Sequence, residues 1–352
     1  WTSPVIATGG WHGFGDISNG KAMTIHLLLL AVGFLLLYFG AEWLVRGSAN
    51  LARSLGISAV VIGLTVVAFG TSAPELVVSV ISSLQDKSMI AVGNVVGSNI
   101  CNIALVLGSA ATLMPITADR SVVRRDIPLM LAISIYLLLL SLDSTITRLE
   151  GATLFAGVIA YTVFNYYISI RENRRAGTAD SGGTEPTAAA EVAEIQAVTS
   201  RFRQIVLIIA GIAGVVIGAD TMIDSAVAIM KSFGVSEKFV GLTVVAFGTS
   251  LPELATSVVA AMKKQMDISI GNLVGSNVFN ILSVIGAAGL VRPIPIHGGF
   301  VESGLIIDYA VMMGICILPW MMMYRDYTVK RWGGLLLLCC YAGYLAYLII
   351  KG

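Results

Sequence analysis

The sequence predicts an all-α membrane protein of ten transmembrane helices, arranged as two inverted-topology five-helix repeats. Three observations carry this expectation. The 352 residues are 56% hydrophobic and only 12% charged, against roughly 25% charged in ordinary soluble domains. Their apolar residues gather in runs close to the ~20 that a spanning helix needs. Finally, GLTVVAFGTSAPE at residues 63–75 returns 178 positions later as GLTVVAFGTSLPE at 241–253, identical at twelve of thirteen positions. The same offset pairs GSNICNI (97–103) with GSNVFNI (275–281), and Gly40-Ala41-Glu42 with Gly218-Ala219-Asp220. An ungapped register over about seventy residues is an internal repeat.

Taken in order, residues 1–22 are Gly-rich and polar, without the basic start and apolar core of a signal peptide. They read as an N-terminal appendage, and Met23 opens the first apolar run. The first repeat, 23–170, holds runs at 24–46, 58–84, 89–113, 125–142 and 150–170. The second, 203–352, holds runs at 203–231, 236–262, 267–290, 303–324 and 332–350. These runs are solidly apolar, without the alternation of barrel strands, so helices are expected. Between the repeats, 171–202 is a polar linker that opens on RENRRAG, with a short helix expected at 188–198.

Orientation follows from the basic residues. With both termini outside, the inner loops and helix ends receive fifteen Lys and Arg, among them Arg124, Arg125, Arg174, Arg175, Lys263 and Lys264. The outer side receives seven: Lys21, Lys87, Arg148, Lys231, Lys238, Arg292 and Lys351. The excess places the 171–202 linker in the cytosol. The expected location is the cell's inner (plasma) membrane. An odd number of spans per repeat reverses the second repeat relative to the first. That is the architecture of many secondary transporters, with the substrate site between the repeats near the midplane.

Other classes are weakly supported. The net charge of +1 marks no nucleic-acid surface, and no protein partner is expected beyond the lipid bilayer. All four cysteines (Cys101, Cys316, Cys339, Cys340) lie in apolar runs and are expected to be buried thiols rather than a disulfide framework. His12, His26 and His297 fall at ends and loops and cannot form a metal triad, so no intramembrane metal enzyme is indicated.

The repeated motif carries the chemistry. Pro74 has no N–H, so the carbonyl of Gly70 loses its helical partner and the helix should kink or unwind around 68–74. Oxygens freed within a membrane are tolerated where they face protein or a hydrated cavity. Thr71 and Ser72 share a helix side with Glu75. Thr249, Ser250, Pro252 and Glu253 repeat the pattern. In the third helix of each repeat, Ser98 with Asn102 and Ser276 with Asn280 add a hydroxyl and an amide at i, i+4. Gly93, Gly97, Gly271 and Gly275 are spaced for close helix approach.

All these donors are oxygen, the preference of hard cations; Ca²⁺ takes six to eight such ligands. A single Gly-Pro kink signifies packing as readily as function. A carboxylate at mid-membrane costs at least ~2.5 kcal/mol on insertion scales and marks function by default. Two, at matched positions, mark a site. Glu42, Arg46, Asp220, Asp224, Asp126 and Asp308 fall toward run ends and read as interfacial or inter-helix pairs.

GTSAPE and GTSLPE, followed by GNVVGSNICN (93–102) and GNLVGSNVFN (271–280), resemble the two alpha-repeats of the sodium/calcium exchanger branch of the calcium/cation antiporter superfamily. The resemblance extends from Met23 to Gly352, with alpha motifs at 58–110 and 236–288. It implies Na⁺-for-Ca²⁺ antiport by alternating access, with Ca²⁺ and Na⁺ as transported ions and no cofactor. Carried over, it makes Glu75 and Glu253 shared carboxylate ligands and gives Thr71 and Thr249 backbone carbonyls on Ca²⁺. Ala68, Ser72 and Ser98, with Ala246, Ser250 and Ser276, complete flanking Na⁺ sites. Asn102 and Asn280 lie at the centre. Proton-coupled relatives tend to carry Gly-Asn-Ala-x-Glu in place of Gly-Thr-Ser-x-Pro-Glu. Some members, including potassium-dependent ones, have aspartate where this chain has Asn280, which predicts exchange without K⁺. An H⁺-coupled or K⁺-dependent antiporter on the same fold is the competing expectation.

Overall fold

The computed structural model describes residues 20–85, 88–179, 200–232, 248–296 and 298–351. Eleven helical elements occupy them. α1 is Gly20–Leu55; α2, Ala59–Thr71, and α3, Ala73–Leu84, form one span bent by 48°. α4 runs through Ser88–Cys101, a π-helical turn at Asn102–Leu107, and Gly108–Leu113. α5 joins a π turn at Val122–Asp126 to Ile127–Ser141. α6 is Arg148–Ala179, α7 Arg201–Ser232, α8 Leu251–Met262 and α9 Met266–Val291. α10 is Leu305–Asp326 and α11 Arg331–Lys351. Among the described residues, seven helices are long and apolar enough to cross a membrane, or eight with the bent pair as one. The chain is a multi-pass membrane protein.

Its surface agrees. Leu28, Phe34, Leu139 and Trp332 lie exposed, while Glu75, Glu253, Asn99, Asn272 and Asn280 are buried. That inverts the usual soluble pattern, because the surrounding solvent is lipid.

Two helices outrun their apolar segments. α1 continues past 46 to Leu55, which places Glu42 well inside the helix rather than at its end. α6 carries the first nine residues of the 171–202 linker, to Ala179. The helix expected at 188–198, the appendage before residue 20 and residues 236–247 lie outside the described residues.

Residues 178 apart hold equivalent places. β1 (Ile116–Thr117) pairs with β4 (Thr328–Val329), and β3 (Ile294–Pro295), the copy of β1, pairs with β2 (Thr145–Ile146). Gly108 of α4 meets the Gly334 carbonyl on α11, and its copy Gly286 of α9 meets the Phe155 backbone on α6. Each repeat's third helix is therefore clasped by the other repeat's last.

α1 and α7 run antiparallel, since Gly33 faces Gly218, Gly40 faces Gly214 and Val215, and Gly47 faces Gln204 and Ile208. On α9, Gly271 and Gly275 let α2 close in, as spaced: an added Cβ would meet the Val60 oxygen or Leu64 Cα at 2.7 Å. Among the described residues nothing comes within 4 Å of a Cβ added at the copies Gly93 and Gly97; residues 238–246, the copies of 60–68, lie outside the described residues.

Of the cysteines, Cys101 and Cys316 are buried as expected. Cys339 is exposed and Cys340 half-buried, because α11 is a peripheral helix with an apolar outer face.

Candidate functional site

The bent span breaks at Ser72, where φ is −85° and ψ 8°. Pro74 sits in the first turn of α3, where its missing N–H is not needed. Ser250 repeats the geometry at φ −91° and ψ 6°, with Pro252 in the first turn of α8. Both breaks deliver a glutamate into the first turn of a half-helix, Glu75 in α3 and Glu253 in α8. The positive end of the helix dipole lies there and favours a carboxylate.

Both glutamates are fully buried, and the repeats exchange bonds around them. Ser72 Oγ donates to Glu253 Oε1 at 3.1 Å, and Ser98 Oγ to Glu75 Oε1 at 3.5 Å. Thr71 Oγ1 donates to Asn272 Oδ1 at 3.1 Å and lies 3.4 Å from Ser276 Oγ. Asn272 Nδ2 donates to Ser257 Oγ at 3.0 Å, as its copy Asn94 does to Ser79 Oγ at 2.9 Å. Asn94 also donates to the Glu75 carbonyl at 3.2 Å.

Below the carboxylates α4 and α9 meet through four asparagines. Asn102 Nδ2 donates to Asn277 Oδ1, and Asn280 Nδ2 to Asn99 Oδ1, each at 3.1 Å. The π turns of α4 and α9 begin at these positions, Asn102 and Asn280; such turns concentrate at functional sites.

Ten of the expected site residues are thus gathered at the two breaks and the two third helices: Glu75, Thr71, Ser72, Ser98, Asn102, Glu253, Ser250, Ser276 and Asn280, with Ala68 buried at the end of the α2 π turn. Thr249 is half-buried in the turn that precedes α8. Ala246 lies outside the described residues. Asn99, Asn277, Asn94 and Asn272 belong to the same polar centre without having been singled out as ligands, although they stand inside the repeated GN and GSN motifs.

Among the described residues, five buried oxygens in the centre have no hydrogen-bond partner: Glu75 Oε2, Glu253 Oε2, Asn102 Oδ1, Asn280 Oδ1 and Ser250 Oγ. Each uncompensated buried polar atom costs about 1–3 kcal/mol, more for a charge. Carboxylate, hydroxyl and amide oxygens with no donor to satisfy them suit a hard cation. Three of the remaining acids are accounted for. Asp126 is gripped by Arg125 Nε at 2.8 Å, and Asp308 accepts from Tyr344 Oη at 3.0 Å. Glu42 is joined to Lys263 Nζ at 2.8 Å. Asp308 and Glu42 are inter-helix pairs, as read from the sequence, whereas buried Asp126 pairs with its neighbour on the same helix. Asp220 and Asp224 stand exposed on α7.

Comparison with known proteins identifies the family. The family profile described as "Sodium/calcium exchanger protein" matches residues 25–167 and 203–350. The chain is 30% identical over 350 residues to the sodium/calcium exchanger MaX1 of Methanosarcina acetivorans, covering 93% of this chain and 99% of that one. It is 35% identical over 298 residues to the inner membrane protein YrbG of Escherichia coli, covering 84% and 88%. The solved structure of the sodium-calcium exchanger NCX_Mj soaked with 10 mM Na⁺ and zero Ca²⁺ superposes with a TM-score of 0.75. That match is 30% identical and covers 92% of this chain and 99% of that one.

Proposed function

The chain belongs to the sodium/calcium exchanger family, and we propose that it extrudes Ca²⁺ against Na⁺ by alternating access, electrogenically and without K⁺. Its ten helices form two inverted repeats, 23–170 and 203–352, joined by a cytosolic linker at 171–202. Both termini lie outside. Antiparallel α1 and α7, and the reciprocal contacts of Asn99 and Asn277, 178 residues apart, support that arrangement.

The observation that carries the reading is the pair of buried carboxylates, Glu75 and Glu253, each at the start of a half-helix and each bonded to a serine. Two carboxylates neutralise one Ca²⁺ or two Na⁺. With more than two Na⁺ the loaded site is positive, so transport moves charge. The backbone end of α2 at Ala68–Thr71 presents carbonyls toward the same break, where the negative end of a helix dipole favours cations. The hydroxyls of Ser72, Ser98, Ser250 and Ser276 complete the Na⁺ sites, with Ala68 and Ala246.

Exchange rather than leak follows from electrostatics. An empty site would carry two unpaired charges through a closed, dry state at a large desolvation cost. Either ion load removes that cost.

K⁺ independence rests on Asn102 and Asn280, which supply neutral amides. K⁺ beside Ca²⁺ would set three positive charges against two negative. Unit charges 4 Å apart interact by about 4 kcal/mol at an effective dielectric of 20. Asp308, which would have to lean inward to add a third carboxylate, is bonded to Tyr344 between α10 and α11.

The test is radiolabelled Ca²⁺ flux in proteoliposomes under Na⁺, K⁺ and pH gradients imposed one at a time, with voltage clamped without valinomycin. The Na⁺ gradient alone is expected to drive uptake. Flux driven by the pH gradient, or lost when choline replaces K⁺, would replace the reading with one of the competing antiporters.

A further inference from the structure

The four-asparagine centre contains a chain of forced orientations. A backbone carbonyl can only accept a hydrogen bond. Asn277 lies 3.3 Å from the Asn99 carbonyl, so the amide atom turned to it is Nδ2. Its donation to Cys316 Sγ at 3.9 Å holds the same atom. Asn277 must then turn Oδ1 toward Asn102, and only an N–H of Asn102 can answer. The amide of Asn102 has no choice left, and Oδ1 is its unbonded end.

The mirrored chain starts at the Asn277 carbonyl. It receives Asn99 Nδ2 at 3.3 Å, turns Asn99 Oδ1 toward Asn280 Nδ2, and leaves Asn280 Oδ1 unbonded. On α4, Ser98 stands one helical turn before Asn102 on the same side, and its hydroxyl reaches Glu75. Ser276, one turn before Asn280, lies 3.4 Å from Thr71 Oγ1, so the free oxygen of Asn102 shares a face with a carboxylate contact and that of Asn280 shares one with a contact to the α2 break.

We propose that Asn99 and Asn277 are crossed positioning residues, each fixing the amide of the other repeat's cation ligand so that oxygen, not N–H, meets the ion. The proposal rests on the reading that Asn102 and Asn280 face the transported cation. A flipped amide would present two partial positive charges to a cation in a low-dielectric site. Crossing also ties the halves together: the ligand of one repeat is correct only while the other repeat's third helix is in place.

The orientation argument has a signature that packing lacks. A carboxylate has two equivalent oxygens and no wrong way round. Asn277→Ala is therefore measured alone and in an Asn102→Asp background, reading KM for Ca²⁺ and kcat from Na⁺-driven flux. Alone, it is expected to raise KM about tenfold, the size of one orienting hydrogen bond lost in a buried site. In the Asn102→Asp background, the same change is expected to move KM less than about twofold, because no orientation remains to be lost. Asn99→Ala with Asn280→Asp is the mirror experiment, and either pair decides if one variant does not fold. Equal KM shifts in both backgrounds, or none in either, would overturn the proposal. The Ca²⁺-dependent rise in melting temperature of the purified protein reads the same affinities without transport. Absence of Na⁺-driven flux in the wild type would thus defeat the function and leave the clamp separately decidable.

Discussion

Two contacts between repeat-related helices hold the molecule together by opposite means. α4 and α9 meet through directional bonds, four asparagine amides whose donors and acceptors fit in one arrangement only. α1 and α7 meet through glycine, with backbone against backbone from Gly33 to Gly47. Within that seam Ser54 Oγ to Gln204 Oε1, 2.9 Å, lies near one end. Hydrogen bonds fix register and orientation; glycine contacts fix only distance. The proposed ion site sits where orientation is fixed, and from Gly33 to Gly47 the long contact is one of shape.

The sharpest way to break that division is to remove charge from the polar centre. Glu75→Gln and Glu253→Gln each leave one carboxylate against a divalent ion. A unit charge acting on Ca²⁺ at 4 Å is worth several kcal/mol even at an effective dielectric of 20, so flux should fall about a hundredfold or more. The measurement is Na⁺-driven Ca²⁺ uptake at matched expression. Near wild-type uptake in either variant would refute the shared site.

The glycine seam should respond differently, with stability lost and ion affinity kept. At Gly40 an added Cβ would meet Val215 N at 2.6 Å and Gly214 C at 2.7 Å, both backbone. Neither can rotate away, so Gly40→Ala must part the helices, at a cost of about 1–3 kcal/mol. At Gly70 the obstacle is Ile212 Cδ1 at 2.5 Å, the end of a side chain that can turn. Gly70→Ala should cost less than Gly40→Ala in thermal unfolding of the purified protein. Gly40→Ala should leave the Ca²⁺ KM near wild type. A larger loss at Gly70, or a KM raised by Gly40→Ala, would show that the seam does more than set distance.

Much of the polar centre was legible in the sequence, for stated reasons. Pro74 removes one N–H, and the break falls at Ser72 inside the expected 68–74. The 178-residue offset announces that Glu75 and Glu253 hold like places. What helical spacing cannot reveal is which copy touches which. Ser98 and Asn102 share a face by their i, i+4 spacing, but that Asn102 is held by Asn277 rather than by its own repeat is a tertiary fact. Asn99 was passed over for the same reason: its bonded partners, Asn277 and Asn280, lie in the other half. Helix ends were the other miss. Hydropathy stops at Arg46, yet α1 continues, since Arg46, Asn50 and Arg53 extend a helix whose polar side has partners. Asn50 Nδ2, for one, bonds back to the Arg46 carbonyl at 2.8 Å.

The smallest expected effect is at the rim, where Lys263 Nζ reaches Glu42 Oε1 at 2.8 Å and ties the end of α8 to α1. The bond is directional, like those of the centre, but the Lys263 side chain is 41% exposed. Exposed pairs contribute about 0–1 kcal/mol. The hydrogen bond to Glu42 raises the Lys263 pKa above its ordinary 10.5, against a smaller opposing effect of burial. A raised lysine pKa means the stabilisation is complete below the unfolded value and fades only as pH climbs through the folded one. Between pH 6 and 9 the pair should therefore contribute a constant amount. Lys263→Met should lower unfolding stability by less than about 1 kcal/mol, equally at both pH values, with Ca²⁺ KM unchanged. A loss as large as that of Gly40→Ala, or one that changes between pH 6 and 9, would mean that the pair belongs with the buried centre and not with the rim.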